Sequence, residues 1–448
     1  MTSSLPPGPR APAAAQTALW LTAPIAFMEH CRRRHGDAFS LTFLGFERPM
    51  VLISDPEAIR ELYAEPRHGL PPGRTFTLGP IMGERSVLLL EGREHLERRR
   101  LLLPPFHGER MRGYARQVAQ IAEAEIDRWP LEEAFALHPR MAAITFEVIL
   151  RVVFGVTEPS RAERLRVLLP QLLDATSSPA VSLRVLAARR LGRPDPLERF
   201  AGLQAEIDEI LLADIAARRA QAAAERGGDV LSLLLGARFE DGSQMSDREL
   251  RDQLVTLLLA GHETTATALA WAFDLLLHNP APLARLRAEL REGGDAYLRA
   301  VVTESLRTRP VLPLAGRRLA APLRADGYTL PAGTDVTPAI WLTHMRPDLY
   351  PRPREFRPER FLETPPSTYA WIPFGGGVRR CVGAAFAELE MRTVLAAVLG
   401  RLELHSAASA PEAIARRNVT FAPRTGTRVR VTRRGAPRRE PLAEPVAV

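Results

Sequence analysis

The chain has 448 residues, 46% of them hydrophobic and 25% charged, with a formal net charge of +8. That balance belongs to a globular protein with a sizeable core, and with only Cys31 and Cys381 present it excludes a disulfide scaffold. All 60 basic residues are arginines set among 52 acids, which matches the codon bias of a GC-rich genome. With no aromatic-interleaved basic stripe and no zinc spacing, a pI near 10.3 does not carry a nucleic-acid-binding reading.

Two unrelated cysteines and no signal peptide predict a reducing, cytoplasmic setting. The best apolar run near the N-terminus, Ala18–Met28, is interrupted by Pro24 and falls short of the ~20 residues of a membrane span, so a soluble chain is expected. Residues 1–16 are rich in Pro and Ala and read as a flexible segment, residues 17–432 as a single domain, and 433–448 as a flexible tail. A helix is predicted over Pro24–His35, then a hairpin from Phe39–Phe43 and Met50–Ile53 around Gly45, then a short helix from Pro56 to Tyr63. Pro66 to Val87 reads as a long loop, a feature that in a compact domain is functional or mobile.

The run Glu94–Arg100 follows, in which His95 and Arg99 lie four apart and share a helix face. Taken alone it reads first as a solvated basic face. From Arg110 to Leu235 the pattern is a succession of amphipathic helices broken at Pro130, Pro139, Pro159, Pro170, Pro179 and Pro194–Pro196, with loops at Thr176–Pro179 and Gly192–Pro196. The longest helical pattern starts at Ser246, where Ser246 and Glu249 make a capping box, and ends near His278 before Pro280. In its apolar middle stands Ala260-Gly261-His262-Glu263-Thr264-Thr265. Gly261 weakens the helix by about 1 kcal/mol relative to alanine. The threonines can bond back to earlier carbonyls, and Glu263 is expensive there unless paired. Glu304 and Arg307 share a face of a helix that stops at Pro310, and Arg360 follows in Arg357-Pro358-Glu359-Arg360-Phe361. Gly327–Gly333 reads as a hairpin turn, Thr334–Pro338 as a strand, and the Thr- and Val-rich stretch beyond Asn418 as a terminal hairpin.

The decisive stretch is Phe374–Gly383, Phe-Gly-Gly-Gly-Val-Arg-Arg-Cys-Val-Gly. Gly375, Gly376 and Gly377 lack the Cβ atoms that would hold a backbone loop off a flat ligand, and they permit positive φ. Phe386, Leu389, Val394, Leu395 and Val398 then recur at helical spacing up to Gly400. Cys381 therefore sits before a helix N-terminus, where orphan N–H groups favour a thiolate. A buried thiolate there needs a cation or a metal.

Phe374, Gly377, Arg379, Cys381 and Gly383 fill the signature Phe-x-x-Gly-x-Arg-x-Cys-x-Gly, which resembles the cysteine-ligand loop of the cytochrome P-450 superfamily. Ala260–Thr265 resembles the same family's oxygen-activation motif, some 120 residues upstream. The resemblance implies a mainly α fold with small β-sheets (α+β), a helical prism around a buried haem b. It makes Cys381 the axial iron ligand and gives Phe374, Arg379, Gly383, Ala260 and Gly261 as haem neighbours. It places His95, Arg99 and Arg317 on the propionates, with Arg318 leaving that register open by one. It also implies a structural Glu304–Arg307–Arg360 network and a lid over the substrate from the helix pair in the Arg110–Leu235 region.

The same resemblance implies a monooxygenase that uses O2 and takes electrons from NAD(P)H through a separate ferredoxin or flavodoxin and its reductase. Thr264 can accept and donate a proton, and Glu263 links it to solvent. Such partners are commonly acidic, and Arg98, Arg100 and Arg380 are the docking candidates. The resemblance further implies an apolar substrate (a fatty acid, a terpenoid or a similar metabolite), with Leu78, Ile81, Met82, Leu257, Ala260, Val311 and Phe421 as pocket candidates, in a monomer without a membrane anchor. Two alternatives stand beside it: a peroxide-driven hydroxylase of the same fold, and a haem sensor or carrier that is not an enzyme. The intact Glu263–Thr264 pair weighs against both.

Overall fold

The computed structural model describes residues 5–70, 79, 81–156, 158–177, 188, 200–221, 227–417 and 419–436. The chain starts with α1 (Ala13–Thr22) and α2 (Pro24–His35), followed by β1 (Ala38–Leu41), β2 (Met50–Ile53) and α3 (Pro56–Ala64). The segment before Gln16 runs along β1: the Ser40 N–H donates to the Pro7 carbonyl (3.1 Å), and the Ser40 hydroxyl to Pro6 (2.7 Å). Gln16 is buried and donates to Thr42 Oγ1 at 2.8 Å. The loose lead-in expected from composition is thus tied down from Pro6 onward, because a proline-rich chain keeps its acceptors although it lacks donors.

Next come α4 (Gly92–Leu102), α5 (Arg110–Ile126), β3 (Ala134–Ala136), α6 (Leu137–Val148), which runs on into a π-helical turn at Ile149–Phe154, and α7 (Pro159–Ser177). Two of the expected proline breaks do not occur. Pro139 lies in the first turn of α6, where its missing N–H has no intrahelical partner to lose, and Pro170 is carried inside α7. Pro179 and Pro194–Pro196 lie outside the described residues. Helices α8 (Ala201–Ala220) and α9 (Val230–Gly236) lead to the central helix α10 (Asp247–Leu277).

The capping box expected at Ser246 is present, with the Glu249 N–H donating to Ser246 Oγ (3.3 Å) and the Ser246 N–H to the Glu249 carboxylate (2.8 Å). At ~1.5 Å per residue the 31 residues of α10 make a rod about 46 Å long. It is buried at Leu250–Thr256 and again at Thr265–Leu276, and it packs on α6, α8, α12 (Ala296–Thr308) and α15 (Ala384–Arg401). Between these buried halves, Leu259–Thr264 regain accessibility and Ala260 is exposed. A helix buried on both sides of an accessible midpoint borders an interior chamber.

The remaining elements are α11 (Pro280–Glu292), β4 (Arg317–Arg318), β5 (Leu323–Ala325), β6 (Tyr328–Leu330), β7 (Asp335–Pro338), α13 (Ile340–His344), α14 (Arg360–Glu363), β8 (Leu402–Ser406), β9 (Ile414–Arg417), β10 (Thr420–Pro423) and β11 (Arg428–Arg434). One sheet runs β1-β2-β7-β4, with β2 and β7 parallel. The β5–β6 hairpin turns on Asp326 and Gly327, whose φ values of 48° and 78° suit a primed turn. The C-terminal run is not one hairpin. Strand β10 pairs back onto β9, while β11 joins β8 and β3, because Gly426 (φ 77°) and Thr427 (φ 56°) turn the chain from one sheet to the other. Of the expected tail, residues 433–434 belong to β11 and residues 437–448 lie outside the described residues.

Replacing Ser246 with alanine removes the cap of the longest helix. Urea unfolding of Ser246→Ala is expected to show a loss of about 1 kcal/mol, and an unchanged midpoint would mean the cap does not contribute.

Candidate active site

The loop ahead of α15 is closed by the Cys381 N–H, which donates to the Phe374 carbonyl at 2.9 Å. Gly375 and Gly377 take φ values of 67° and 62°, which favour glycine. A Cβ on Gly376 would lie 2.2 Å from the Tyr63 ring, and one on Gly377 2.6 Å from the Tyr63 carbonyl oxygen. The glycines therefore make room for α3, a reason that the loop's own sequence does not reveal. The Cys381 side chain is accessible, yet its thiol is set deep: burial pushes its pKa up, while the Gly383 N–H and the Arg380 and Arg99 guanidinia pull it down. Accessible surface on a desolvated sulfur is the mark of an inner chamber. The protein alone does not make the thiolate expected from the helix N-terminus, so a cation bound to sulfur is what the site calls for.

A second group of residues calls for anions. His95 is buried, and burial together with Arg379, Arg99 and Arg317 lowers its pKa to about 4. Arg99 donates to the Arg380 carbonyl at 2.5 Å, and Arg379 to the Leu90 carbonyl at 2.6 Å. Arg317 is buried and donates to the Gly316 carbonyl (2.9 Å). Its neighbour Arg318 grips Asp335 with both branches (2.8 and 2.9 Å). Among the described residues, neither Arg99 nor Arg317 has a carboxylate partner. Buried guanidinium charge without an acid is unfavourable. A flat cofactor with a metal for the sulfur and two carboxylates for the arginines fits both groups at once.

On the central helix, the Thr264 hydroxyl donates back to the Ala260 carbonyl at 2.6 Å, the back-bond expected from its sequence. A Cβ on Gly261 would approach Ile149 Cδ1 to 3.3 Å, so this glycine also serves helix packing. Burial, His138 and Arg417 hold His262 down at about 4, and its Nδ1 lies 3.0 Å from Thr145 Oγ1. The Glu263 carboxylate has His138 Nε2 and Arg417 Nη1 each at 3.5 Å.

The Cytochrome P-450 family model matches residues 6–428. The chain belongs to the cytochrome P-450 family. A Mycobacterium bovis relative carrying the name cytochrome P-450 135B1 is 42% identical over 434 residues, 95% of this chain and 91% of that one. A Mycobacterium tuberculosis relative carrying the name cytochrome P-450 137 is 42% identical over 435 residues, 95% of this chain and 90% of that one. Among solved structures, a cyanobacterial protein with retinoic acid bound superposes with a TM-score of 0.79 at 24% identity, covering 96% of this chain and 99% of that one. A cytochrome P-450 haem domain gives 0.80 at 24% identity, covering 96% and 98%. The fold is therefore the helical cytochrome P-450 fold with small sheets, and the family's members are haem-dependent monooxygenases that use O2. No described helix is long and apolar enough to cross a membrane.

Beneath the cysteine loop of this cytochrome P-450, Glu304, Arg307 and Arg360 come together as expected. Arg307 Nε and Arg360 Nε reach the Glu304 carboxylate at 2.6 and 3.1 Å, with Glu304 and Arg307 fully buried. Sequence reading missed the next link, His344, which joins the Arg307 carbonyl (Nδ1, 3.1 Å) to the Ile372 N–H (Nε2, 2.9 Å), two residues before Phe374. Trp371 adds a bond from its indole N–H to the Thr303 carbonyl at 3.1 Å.

Other expectations change. Arg98 is not a surface group: it is buried, pairs with Glu249 at 2.5 Å and lies over the Phe239 ring. Arg100 is exposed and pairs with Glu240, and Arg380 is exposed. Of the pocket candidates, Ala260 is exposed and Leu257 partly so, whereas Ile81, Met82 and Val311 are buried. Phe421 is fully buried in the N-terminal core, so its ring has no face to offer a ligand. Leu78 lies outside the described residues.

If Tyr63 is what excludes a side chain at Gly376, then Gly376→Ala destabilises by roughly 1–3 kcal/mol and Tyr63→Ala largely relieves that penalty. A double-mutant cycle by chemical unfolding measures the coupling, and purely additive losses would contradict this account.

Proposed function

We propose that this chain is a monooxygenase of apolar small organic molecules in which the Cys381 thiolate would hold the iron of haem b. The observation that supports this most is the pairing of an accessible but desolvated thiol with Arg99 and Arg317, neither of which has a carboxylate partner among the described residues. Bound haem supplies O2 activation and the transfer of one oxygen atom into a C–H bond or across a double bond.

The residues of the chain do the rest. His95, Arg99 and Arg317 receive the two propionates, and Arg379 stands beside them. The Cys381 thiolate donates electron density, as a harder ligand does less well. Thr264 rotates its hydroxyl from the Ala260 carbonyl into the chamber, accepts a proton from the Glu263 side and hands it inward. The apolar flank, with Leu257 and Ala260, orients the substrate and keeps bulk water out. Electrons originate in NAD(P)H and arrive through a separate acidic ferredoxin or flavodoxin, which meets Arg380 and Arg100. Fatty acids, terpenoids and steroids are the classes to screen, through the shift each causes in the haem spectrum.

Two variants test the assignment. Cys381→Ala is expected to lose the red-shifted Soret band of the reduced carbon monoxide complex, and a retained band would refute the ligand. Thr264→Ala is expected to keep haem and substrate binding while several-fold more of the reducing equivalents end in hydrogen peroxide. Unchanged coupling would remove Thr264 from the proton path.

A further inference from the structure

Where the central helix ends, α10, α11 and β8 meet around a cavity of about 310 Å³, at the lower end of the roughly 300–1,000 Å³ of small-molecule sites. None of its lining residues belongs to the cysteine loop, the cation cluster or the Thr264 region. Leu277, Leu283 and Leu404 supply apolar lining, and Arg287 and Ser406 line it as well. His278, which ends α10, has its Nε2 3.2 Å from Ser406 Oγ. Its Nδ1 lies 2.9 Å from the Asp274 carbonyl and 3.2 Å from the Asp274 carboxylate. Asp274 is 1% exposed, and both its carboxylate oxygens lie 3.2 Å from the Glu412 backbone nitrogen.

Two acceptor oxygens at Nδ1 place the ring proton there, which leaves the Nε2 lone pair for the Ser406 hydroxyl. That hydroxyl accepts the Ala408 N–H at 3.1 Å and also lies 2.9 Å from the Ala408 carbonyl. One rotation about its Cβ–Oγ bond therefore moves the hydrogen from Ala408 to Nε2. Serine, imidazole and buried carboxylate stand as a nucleophile, its base and the group that orients the base. Burial raises the Asp274 pKa, against which the Glu412 N–H, His278 and Arg309 act. Arg287 Nη2 is buried without a hydrogen-bond partner among the described residues. Glu403, which acts on Arg287 by charge, pairs with Arg433 at 3.2 Å. A buried donor with nothing to receive it is costly, and beside a serine it suits a developing oxyanion.

We propose that Ser406, His278 and Asp274 form a second catalytic site that hydrolyses esters of apolar carboxylic acids, with Arg287 receiving the oxyanion. It does not rest on the haem reading above. The acyl chain lies against Leu277, Leu283 and Leu404. Ser406 Oγ bonds to the ester carbonyl carbon and gives its proton to His278 Nε2. The bond to the alkoxy oxygen then breaks, and the alcohol leaves with that proton. Water repeats the sequence on the acyl-serine, releasing the carboxylic acid and restoring the serine. No electrons are exchanged, so the site needs no redox partner.

The test uses the haem-loaded protein with p-nitrophenyl hexanoate as substrate and an alkyl fluorophosphonate as the probe for an activated serine. The parent is expected to release many p-nitrophenol molecules per chain and to carry the probe on Ser406, located by peptide mass spectrometry. Ser406→Ala is expected to lose both. His278→Gln is expected to lower kcat by roughly 10²-fold. Arg287→Met is expected to lower kcat by about 10²-fold while KM moves little, which marks a contact made in the transition state. Labelling of the unaltered chain decides the matter without any variant: no label, or a label on another residue, overturns the proposal. So does Ser406→Ala hydrolysing the ester at the parent's rate.

Discussion

The site depends on a sulfur placed where burial disfavours the charge that it needs. Cys381 is desolvated, and the Gly383 N–H and two guanidinia offset only part of that penalty. A protein that keeps such a group must hold it mechanically, because its chemistry does not anchor it until a metal does. Three constraints supply the grip. The Cys381 N–H closes the loop on Phe374, Tyr63 fills the space that Gly376 and Gly377 leave, and His344 ties Ile372 to the buried Glu304–Arg307–Arg360 knot. Breaking one partner of such a buried knot strands charge, which makes it a stiff foundation for the loop above it.

Much of this was legible because it is local. The capping box at Ser246, the positive-φ glycines and the cysteine before a helix are short-range patterns, and the central helix begins within a residue of its expected start. The back-bond from Thr264 to Ala260 was equally readable, since it needs only the helix that both residues share. What stayed hidden is convergence. Nothing near Gly376 in sequence says that Tyr63 occupies the facing space, and nothing near Glu263 names His138 or Arg417, which arrive from 125 residues before and 154 after.

Arg98 shows a legible signal that was passed over. His95, Arg98 and Leu102 recur at intervals of three and four, the spacing of a single buried stripe on α4, and all three are buried. A charge run hid that stripe. Once inside, Arg98 takes Glu249 from the capping box of α10, so the helix that bears His95 and Arg99 is fixed to the helix that bears Thr264. The N-terminal segment errs in the opposite sense. Proline and alanine content suggests looseness, but its carbonyls find the Ser40 donors and Gln16 finds a buried socket.

The arginine-only composition, neutral with respect to fold, has a consequence at the site. A lysine at position 317 could respond to burial by giving up its proton, since its pKa falls readily in an apolar setting. A guanidinium does not discharge, so Arg317 remains a cation inside the protein even though burial pulls its pKa down. Arg99 and Arg317, which have no carboxylate partner among the described residues, are therefore cations whose cost two carboxylates would relieve. His262 on the central helix and His138 on α6 are held neutral, as His95 is. One group of side chains keeps its arginine charge inside the protein, and the other sets Glu263 near a neutral His138 and the half-exposed Arg417.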